Sequence, residues 1–582
     1  MKLLWVFLCV FVSSYVCGVE WFNEGPIYQV YVASFADTDG DGWGDLKGVI
    51  EHVKHFKDIG VKAVWLSPIF TSPMKDNGYD VSDYLNVNPK YGTMADLEDL
   101  IRALHELGIK ILLDFVPNHT SDEHEWFKKS IRQEKPYDDY YVWKDKIGMT
   151  RNASGAMIPT PPNNWRSLFT PSAWTWNEHR QQFYLHQFGD YQPDLNFDNP
   201  KVVEEMKEAI RFWLRKGVDG MRVDATPYII ETNYDKNQPN IQGCPLPADD
   251  YECQQHLYTR DQPKLYDIIA EFAKTLEEFN NNGTKYQFVE AYASIDFTMK
   301  YYMNSTSPFN FNLISYLRQS SNASDLSFLI HNFIDNMPNG TWPNWVAGNH
   351  DNPRIATRFG EEMVDVVHTL TMLLPGAPIT YQGEEIGMSN PYIPESLRQD
   401  HSSFNRDGAR TPMQWNTSLN AGFSKNKRPY LPVNPNFWHT NVESENKSPS
   451  SHLSVYKRLV EVHRELIDSG LDGFETYIVS PWVFAFSRPK HLVVINLNNM
   501  EESFSVKDLK IDKKEMPDTL KVRVTSANSN YEAGFEVKSM NITMRPKSSV
   551  VFSVNLKGFA NGMAPSSLLV LLTAFMCFFK IY

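Results

Sequence analysis

Short apolar runs rich in β-branched and aromatic residues recur along the chain, and most are followed by a stretch of helical periodicity. Residues 26–32 (Pro-Ile-Tyr-Gln-Val-Tyr-Val) read as a strand, and an Asp/Gly loop then leads into a helical pattern over 46–59. Residues 61–67 form a second buried strand, and a helix over 95–107 runs through Gly108 into a third strand at 110–116. After an interruption come a helix over 202–216, strands at 220–223 and 286–290, and apolar segments at 344–347 and 378–381. Parallel strands need a crossover, usually helical, between them, so the alternation predicts an α/β fold with a parallel sheet closed as a barrel.

Two regions break the pattern. Residues 120–190 are polar and aromatic-rich, with Pro159, Pro161 and Pro162, and read as an insertion after the third strand. Beyond about residue 475 alternating strands appear without helices, at 483–487, 492–497, 521–524 and 550–554, predicting a β domain. Length alone would allow roughly four domains, but one α/β barrel absorbs ~250 residues. The expected organisation is a barrel in two parts (19–119 and 191–475), an inserted domain (120–190), a C-terminal β domain (476–557) and processing segments at 1–18 and 558–582.

Both ends resemble targeting signals. Met1 and Lys2 precede an uncharged apolar run closing on Val16-Cys17-Gly18, the pattern of a cleaved secretory signal. The alternative is a signal anchor, for which the run is short against the ~20 residues of a spanning helix. At the other end, small residues around Asn561 and a short spacer precede twelve uncharged residues, 568–579. This is the pattern of a glycosylphosphatidylinositol attachment signal, with a short membrane-inserted tail as the alternative. Cys244 and Cys253 are the two cysteines outside these segments and read as a loop disulfide in an oxidising compartment, the alternative being two reduced thiols. Sequons at Asn152, Asn282, Asn304, Asn322, Asn339, Asn416, Asn446 and Asn541 are candidate glycan sites. The expected location is the extracellular face of the cell membrane, held by the lipid anchor. With 56 basic against 70 acidic residues, a net charge of −14 and no Lys/Arg cluster, a nucleic-acid partner is excluded.

Polar residues gather where the barrel strands should end. The third strand runs into Asp114-Phe-Val-Pro-Asn118-His119, the fourth is Gly220-Met-Arg222-Val-Asp224-Ala225, the fifth ends at Glu290, and a later one leads to Asn349-His350-Asp351. Catalytic groups of such barrels sit at the C-terminal strand ends, and two carboxylates flanking a bond are what glycoside hydrolysis needs. Residues 37–45 (Asp-Thr-Asp-Gly-Asp-Gly-Trp-Gly-Asp) place oxygen ligands at Asp37, Asp39, Asp41 and Asp45 with the Trp43 carbonyl between, and Gly42 where the turn needs glycine. That spacing is a calcium loop, although Gly48 stands where an EF-hand has its bidentate glutamate; a metal-free Asp/Gly turn is the alternative.

From about Trp21 to about Asn555 the chain resembles the α-glucosidases of glycoside hydrolase family 13, in the oligo-1,6-glucosidase/maltase branch that includes membrane-anchored insect maltases. The resemblance is carried, in order, by residues 60–68 (Gly-Val-Lys-Ala-Val-Trp-Leu-Ser-Pro), 114–119, 192–196 (Gln-Pro-Asp-Leu-Asn), 220–225, Glu290 and 349–351. It implies a (β/α)8 barrel with the 120–190 insertion as domain B, and a retaining exo-acting enzyme that releases α-glucose from non-reducing ends of α-1,4-linked sugars, sucrose being a further candidate. By the same resemblance Asp224 is the nucleophile, Glu290 the acid/base and Asp351 the transition-state stabiliser. Arg222 is expected to hold Asp224 ionised and to count among the substrate-binding residues. His119 and His350 are expected to bind the sugar, Asp80 and Arg410 to clamp the terminal glucose, and Tyr79 to offer a stacking face. The corresponding acidic loop binds calcium in related glucosidases, and Asn118 matches a second calcium ligand near domain B, which makes its own sequon a false positive. In this branch, Val after the nucleophile accompanies α-1,6 bonds and Ala or Thr accompanies α-1,4 bonds; here it is Ala225. Two alternatives remain: a glucosidase-like cell-surface protein whose main role is binding another protein, and a transglycosylating relative.

Overall fold

A computed structural model describes residues 20–247, 249–400, 404–511 and 513–554. The signal and lipid-anchor segments, Asn561 included, lie outside the described residues. No helix among the described residues is long and apolar enough to cross a membrane.

Eight parallel strands form one sheet: β1 (Ile27–Val30), β2 (Ala63–Leu66), β3 (Lys110–Phe115), β4 (Gly220–Val223), β5 (Tyr286–Val289), β6 (Thr306–Pro308), β7 (Asn344–Val346) and β8 (Ala377–Tyr381). Their spatial order is 6-5-4-3-2-1-8-7, so β1 pairs with both β2 and β8 and the sheet curls into a (β/α)8 barrel. No backbone ladder joins β6 to β7. The Asn344 side chain spans that seam, donating to the Pro308 carbonyl at 2.8 Å and accepting from the Asn310 amide at 2.8 Å.

Successive side chains on a strand point to opposite faces. Ile27, Ala63, Trp65, Leu112, Phe288, Val346 and Ile379 form one closed cluster inside the barrel. Their neighbours Tyr28, Val64, Leu66, Ile111, Leu113 and Val289 join the larger core beneath the helices. The same period of two turns Asp114, Arg222, Asp224 and Glu290 inward, above the apolar plug. The helices follow their sequence signals. Met94–Glu106 begins in a Thr93/Asp96 capping box and buries Leu97, Leu100, Ile101 and Leu104. Pro200–Arg215 starts with an Asn199 cap and proline in its first turn, and stacks Trp213 on Phe70 with ring centres 4.9 Å apart.

Two local expectations are corrected. The helix read over 46–59 is two, Leu46–Glu51 and Val53–Asp58. The His52 ring nitrogen bonds the Gly48 carbonyl at 2.9 Å, and the His52 amide turns to Val49, tightening the junction. The sixth strand was not foreseen, because Thr-Ser-Pro is too short and too polar to stand out.

The inserted region carries a three-stranded antiparallel sheet (Trp143–Lys144, Gln182–Leu185, Trp174–Asn177) around buried Trp165 and Trp174. At the C-terminus β9 (Glu475–Ile478), β10 (Val483–Arg488), β11 (His491–Asn496), β12 (Thr519–Thr525), β13 (Glu536–Lys538) and β14 (Ser548–Ser553) make an antiparallel sheet in the order 9-10-11-14-12-13. Strands β9 and β13 add to the four read from sequence.

Candidate active site

Arg222 is the hub of the barrel mouth. Only 2 % exposed, it donates from Nη1 to Asp114 Oδ1 at 2.7 Å and to Asp224 Oδ1, and its Nη2 lies 3.0 Å from Glu290 Oε2. The Ala225 amide donates to that same Glu290 oxygen at 3.0 Å. Three carboxyls thus share one guanidinium, and ionising all of them would leave two unmatched charges in a low-dielectric site. Burial raises the Asp224 carboxyl well above its usual range; Arg222 opposes the shift, while Glu290 and Asp114 add to it. Burial likewise lifts Asp114 to about 6 against the pull of Arg222. Arg222 favours the ionised form of Asp224, against burial and two neighbouring acids. The guanidinium is divided among three acids rather than spent on one.

Asp351 has the opposite environment. Its Oδ1 accepts from Arg410 Nη2 at 2.8 Å and from Arg406 Nη1 at 3.3 Å. Burial alone would raise it, but the Arg410 and Arg406 guanidiniums outweigh burial and hold the carboxyl below the usual range. Burial depresses the His350 imidazole to about 3, so the ring is neutral. With Gln29 Nε2 donating to its Nδ1 at 2.7 Å, the ring proton sits on Nε2, 2.6 Å from the Tyr79 hydroxyl and 3.3 Å from Asp351. Tyr79 passes the chain on, donating to Asp114 Oδ2 at 3.1 Å.

These groups face a cavity of about 360 Å³ whose wall includes Asp224, Glu290, Asp351, Tyr79 and His119. Four residues expected to touch the sugar do not line it. Arg222 lies beneath the carboxyls, and His350 and Arg410 stand behind Asp351. Asp80 is spent in a turn, accepting from Ser72 Oγ and the Lys75 and Asp76 amides. In the cavity wall stand instead Asp76 and Arg406, each four residues before the expected partner, with Arg406 Nη2 donating to Asp76 Oδ1 at 2.9 Å. Burial holds the His119 ring down near 4, and its Nε2 meets Gln192 Nε2 at 3.0 Å.

Two acidic clusters stand out, and the first brings three carboxylates close enough together for one cation. Oxygens of Asp37, Asp39 and Asp45 lie within 4.8 Å of one another, and among the described residues none of the three pairs with Lys or Arg. Gly42, at φ +100°, permits the tight turn, while Asp41 turns aside to accept from the Trp43 amide at 2.7 Å. The second cluster was only half legible. Asn118, fully buried, donates to the Tyr228 carbonyl at 2.6 Å, beside Asp194 and Glu231, which are bridged by Gln187 Nε2 at 3.1 and 2.6 Å. Burial lifts Asp194 to about 7 and raises Glu231 well above its usual range, the mutual charge adding to both the burden and the shift of Glu231. Cys244 and Cys253 are joined as a disulfide. Asn152, Asn282, Asn304, Asn339, Asn446 and Asn541 are exposed, and Asn322 and Asn416 half-buried.

A (β/α)8 barrel whose C-terminal mouth holds paired carboxyls on one guanidinium beside a third, firmly ionised carboxylate is the architecture of a glycoside hydrolase. The chain belongs to the α-amylase family: the model of the α-amylase catalytic domain matches residues 29–470. It is 40% identical over 571 residues to Maltase A1 of Drosophila melanogaster, covering 93% of this chain and 97% of the relative. It is 36% identical over 568 residues to the amino acid transporter heavy chain SLC3A1 of Homo sapiens, covering 93% and 79%. Among solved structures, the α-glucosyl transfer enzyme XgtA superposes with a TM-score of 0.80 at 29% identity, covering 92% of this chain and 100% of that one.

Proposed function

We propose that the protein is a retaining, exo-acting α-glucosidase that removes α-glucose from the non-reducing end of α-1,4-linked di- and oligosaccharides. Family membership alone also admits non-hydrolytic roles, as the heavy-chain relative indicates. The observation that carries hydrolysis is the Arg222 guanidinium holding Asp224 and Glu290 on the wall of a cavity that also contains Asp351.

In this reading Asp224 attacks the anomeric carbon while Glu290, as general acid, gives a proton to the glycosidic oxygen, so the C–O bond breaks as the glycosyl ester forms. As the ester forms and the proton leaves, negative charge passes from Asp224 to Glu290, and Arg222, which touches both, faces it in either state. Water then attacks the anomeric carbon, Glu290 takes its proton, and the bond to Asp224 breaks, so two inversions leave the anomeric configuration retained. Asp351, kept anionic by Arg406 and Arg410, stabilises positive charge developing on the sugar ring. The Asp76–Arg406 pair closes one end of the cavity and offers complementary charges to the hydroxyls of a terminal glucose, which favours removal of one unit at a time.

Calcium is proposed at the Asp37–Asp39–Asp45 cluster, and a second ion at Asn118 with Asp194, Glu231 and the Tyr228 carbonyl. Both would be structural, neutralising acids that otherwise repel. The terminal sequences support export and a lipid anchor at the extracellular face; release by phosphatidylinositol-specific phospholipase C checks this, and retention after complete digestion counts against it. For the activity, maltopentaose should yield glucose and maltotetraose first, with the glucose appearing as the α-anomer by NMR. Internal cleavage or initial β-glucose would refute the reading.

A further inference from the structure

At the N-terminal ends of the barrel strands, opposite the catalytic mouth, lies a small cavity with no part in the chemistry above. Asn23 reaches it from just before β1, Trp342 from before β7, His463 from the helix His452–Leu466, and Arg488 from the end of β10. We propose that this cavity is a halide site, in which one chloride-sized anion offsets the Arg488 charge and joins the C-terminal β domain to the floor of the barrel. The proposal is independent of the α-glucosidase reading.

Charge gives the first reason. Arg488 is 3% exposed and pairs with no carboxylate among the described residues. Burial lowers its pKa to about 10 with no neighbouring acid opposing the shift, so the guanidinium still carries its charge at neutral pH. Buried Arg222, Arg406 and Arg410 each meet a carboxylate instead. An ion taken out of water without a counter-charge is costly, and a water molecule beside it would leave that charge unmatched.

Hydrogen bonding gives the second. Arg488 Nη2 donates to Ser469 Oγ at 2.8 Å, and that hydroxyl donates in turn to the Leu466 carbonyl at 2.6 Å. Arg488 Nε and Nη1 have no partner among the described residues, and neither does Nδ2 of buried Asn23. His463 Nδ1 lies 2.8 Å from the Met372 carbonyl and so carries a proton, while its Nε2 is also without a partner. Burial lowers the His463 imidazole, and the Met372 and Asn23 carbonyls raise it. An anion beside the ring favours the form protonated on both nitrogens. Guanidinium, amide and imidazolium then all donate into one space, a set that holds an anion and repels a cation. The size of that space selects the ion. At about 10 Å³ the cavity takes one particle the size of a water, which excludes phosphate and organic carboxylates. Half-buried Trp342 forms its outer wall, packed so closely on Gly470 that a Cβ there would come within 3.0 Å of the ring.

The test is thermal melting of the purified protein in sodium chloride, sodium bromide and sodium gluconate at equal ionic strength and fixed free calcium. Gluconate is too large for the cavity, so both halides should raise the melting temperature above it by roughly 2–4 °C at saturation. Arg488→Met removes the charge and the donors while keeping much of the bulk, and it should lose that difference. Crystals of the parent protein grown in sodium bromide supply a second readout, an anomalous peak within hydrogen-bond reach of Arg488 Nη1 and Asn23 Nδ2. An equal halide effect in parent and Arg488→Met, or a water in place of the bromide peak, overturns the proposal. The bromide peak decides the question on the parent alone if Arg488→Met fails to fold. Neither readout depends on whether the protein hydrolyses maltose.

Discussion

Replacing Asp224 with asparagine preserves the side chain's shape and removes its capacity to form a glycosyl ester, so turnover should vanish with the fold intact by circular dichroism. Glu290→Gln removes one proton transfer, and a loss of about 10²–10⁴ in kcat is expected on maltose. Near-parental rates in either variant would reassign the pair. Ala225 carries the linkage prediction: maltose should be cleaved well ahead of isomaltose, because the two bonds send the leaving sugar in different directions past this side chain. Pocket changes of a methyl group or two alter discrimination by roughly 10–200-fold. The structure adds a complication, since Ala225 has φ +48°, a conformation that a β-branched residue adopts only under strain. Ala225→Val should narrow the maltose preference and also lower the melting temperature; equal rates of the parent on both sugars would sink the assignment. The residue scale is also where sequence reading was least exact. Asp224 and Glu290 directly follow strands, whose period of two fixes their direction, whereas Asp351 stands on the loop beyond Val346. Asp76 and Asp80, or Arg406 and Arg410, are alternatives on loops, where spacing does not say which side chain turns toward the cavity.

At the scale of single elements, the acidic loop and one helix cap each make a measurable claim. If Asp37, Asp39 and Asp45 hold calcium, the ion stabilises by mass action, about 2.7 kcal/mol at a hundredfold excess over Kd. Asp37→Ala with Asp39→Ala should abolish the rise in melting temperature that calcium gives the parent over chelator. An equal rise in both proteins would remove the metal from this loop. The helix His452–Leu466 is tied down by His452 Nδ1, 2.7 Å from Asp365, whose other oxygen accepts from the Ala527 amide at 2.7 Å. Burial works against the imidazolium, but Asp365, with Glu445 adding, raises it to about 9. A raised folded-state pKa means that the stabilisation is complete below the unfolded value of about 6.5 and is lost as pH rises through 9. Glu445, lifted to about 8 by burial, loses stability in the same direction as it ionises. The melting temperature should fall between pH 6.5 and 9.5, and His452→Gln should flatten the fall; parallel curves would show that the contact contributes nothing. The elements best read from sequence were long and periodic, such as Pro200–Arg215, whereas β6 and the break at His52 depend on three residues or on one side chain competing for a carbonyl.

Over the whole molecule, the order of strands was legible because each parallel pair requires a crossover that leaves its mark in sequence. How the sheet closes on itself was not legible, since that depends on which residues meet at the ends of the strand order. There the barrel differs from a continuous hoop. Every other neighbouring pair is joined by peptide hydrogen bonds, but β6 and β7 meet through one asparagine side chain. A hoop with one such clasp has a preferred place to come apart. Amide hydrogen exchange at rising denaturant should therefore reach the peptides around 306–310 and 344–346 before those of β1 to β4, and Asn344→Ala should speed exchange there first. The clasp lies next to Phe309 and Phe311, which belong to the apolar cluster inside the barrel. Loosening it would open that apolar plug to water on one side before it disturbed the part of the ring where Asp114 and Arg222 stand.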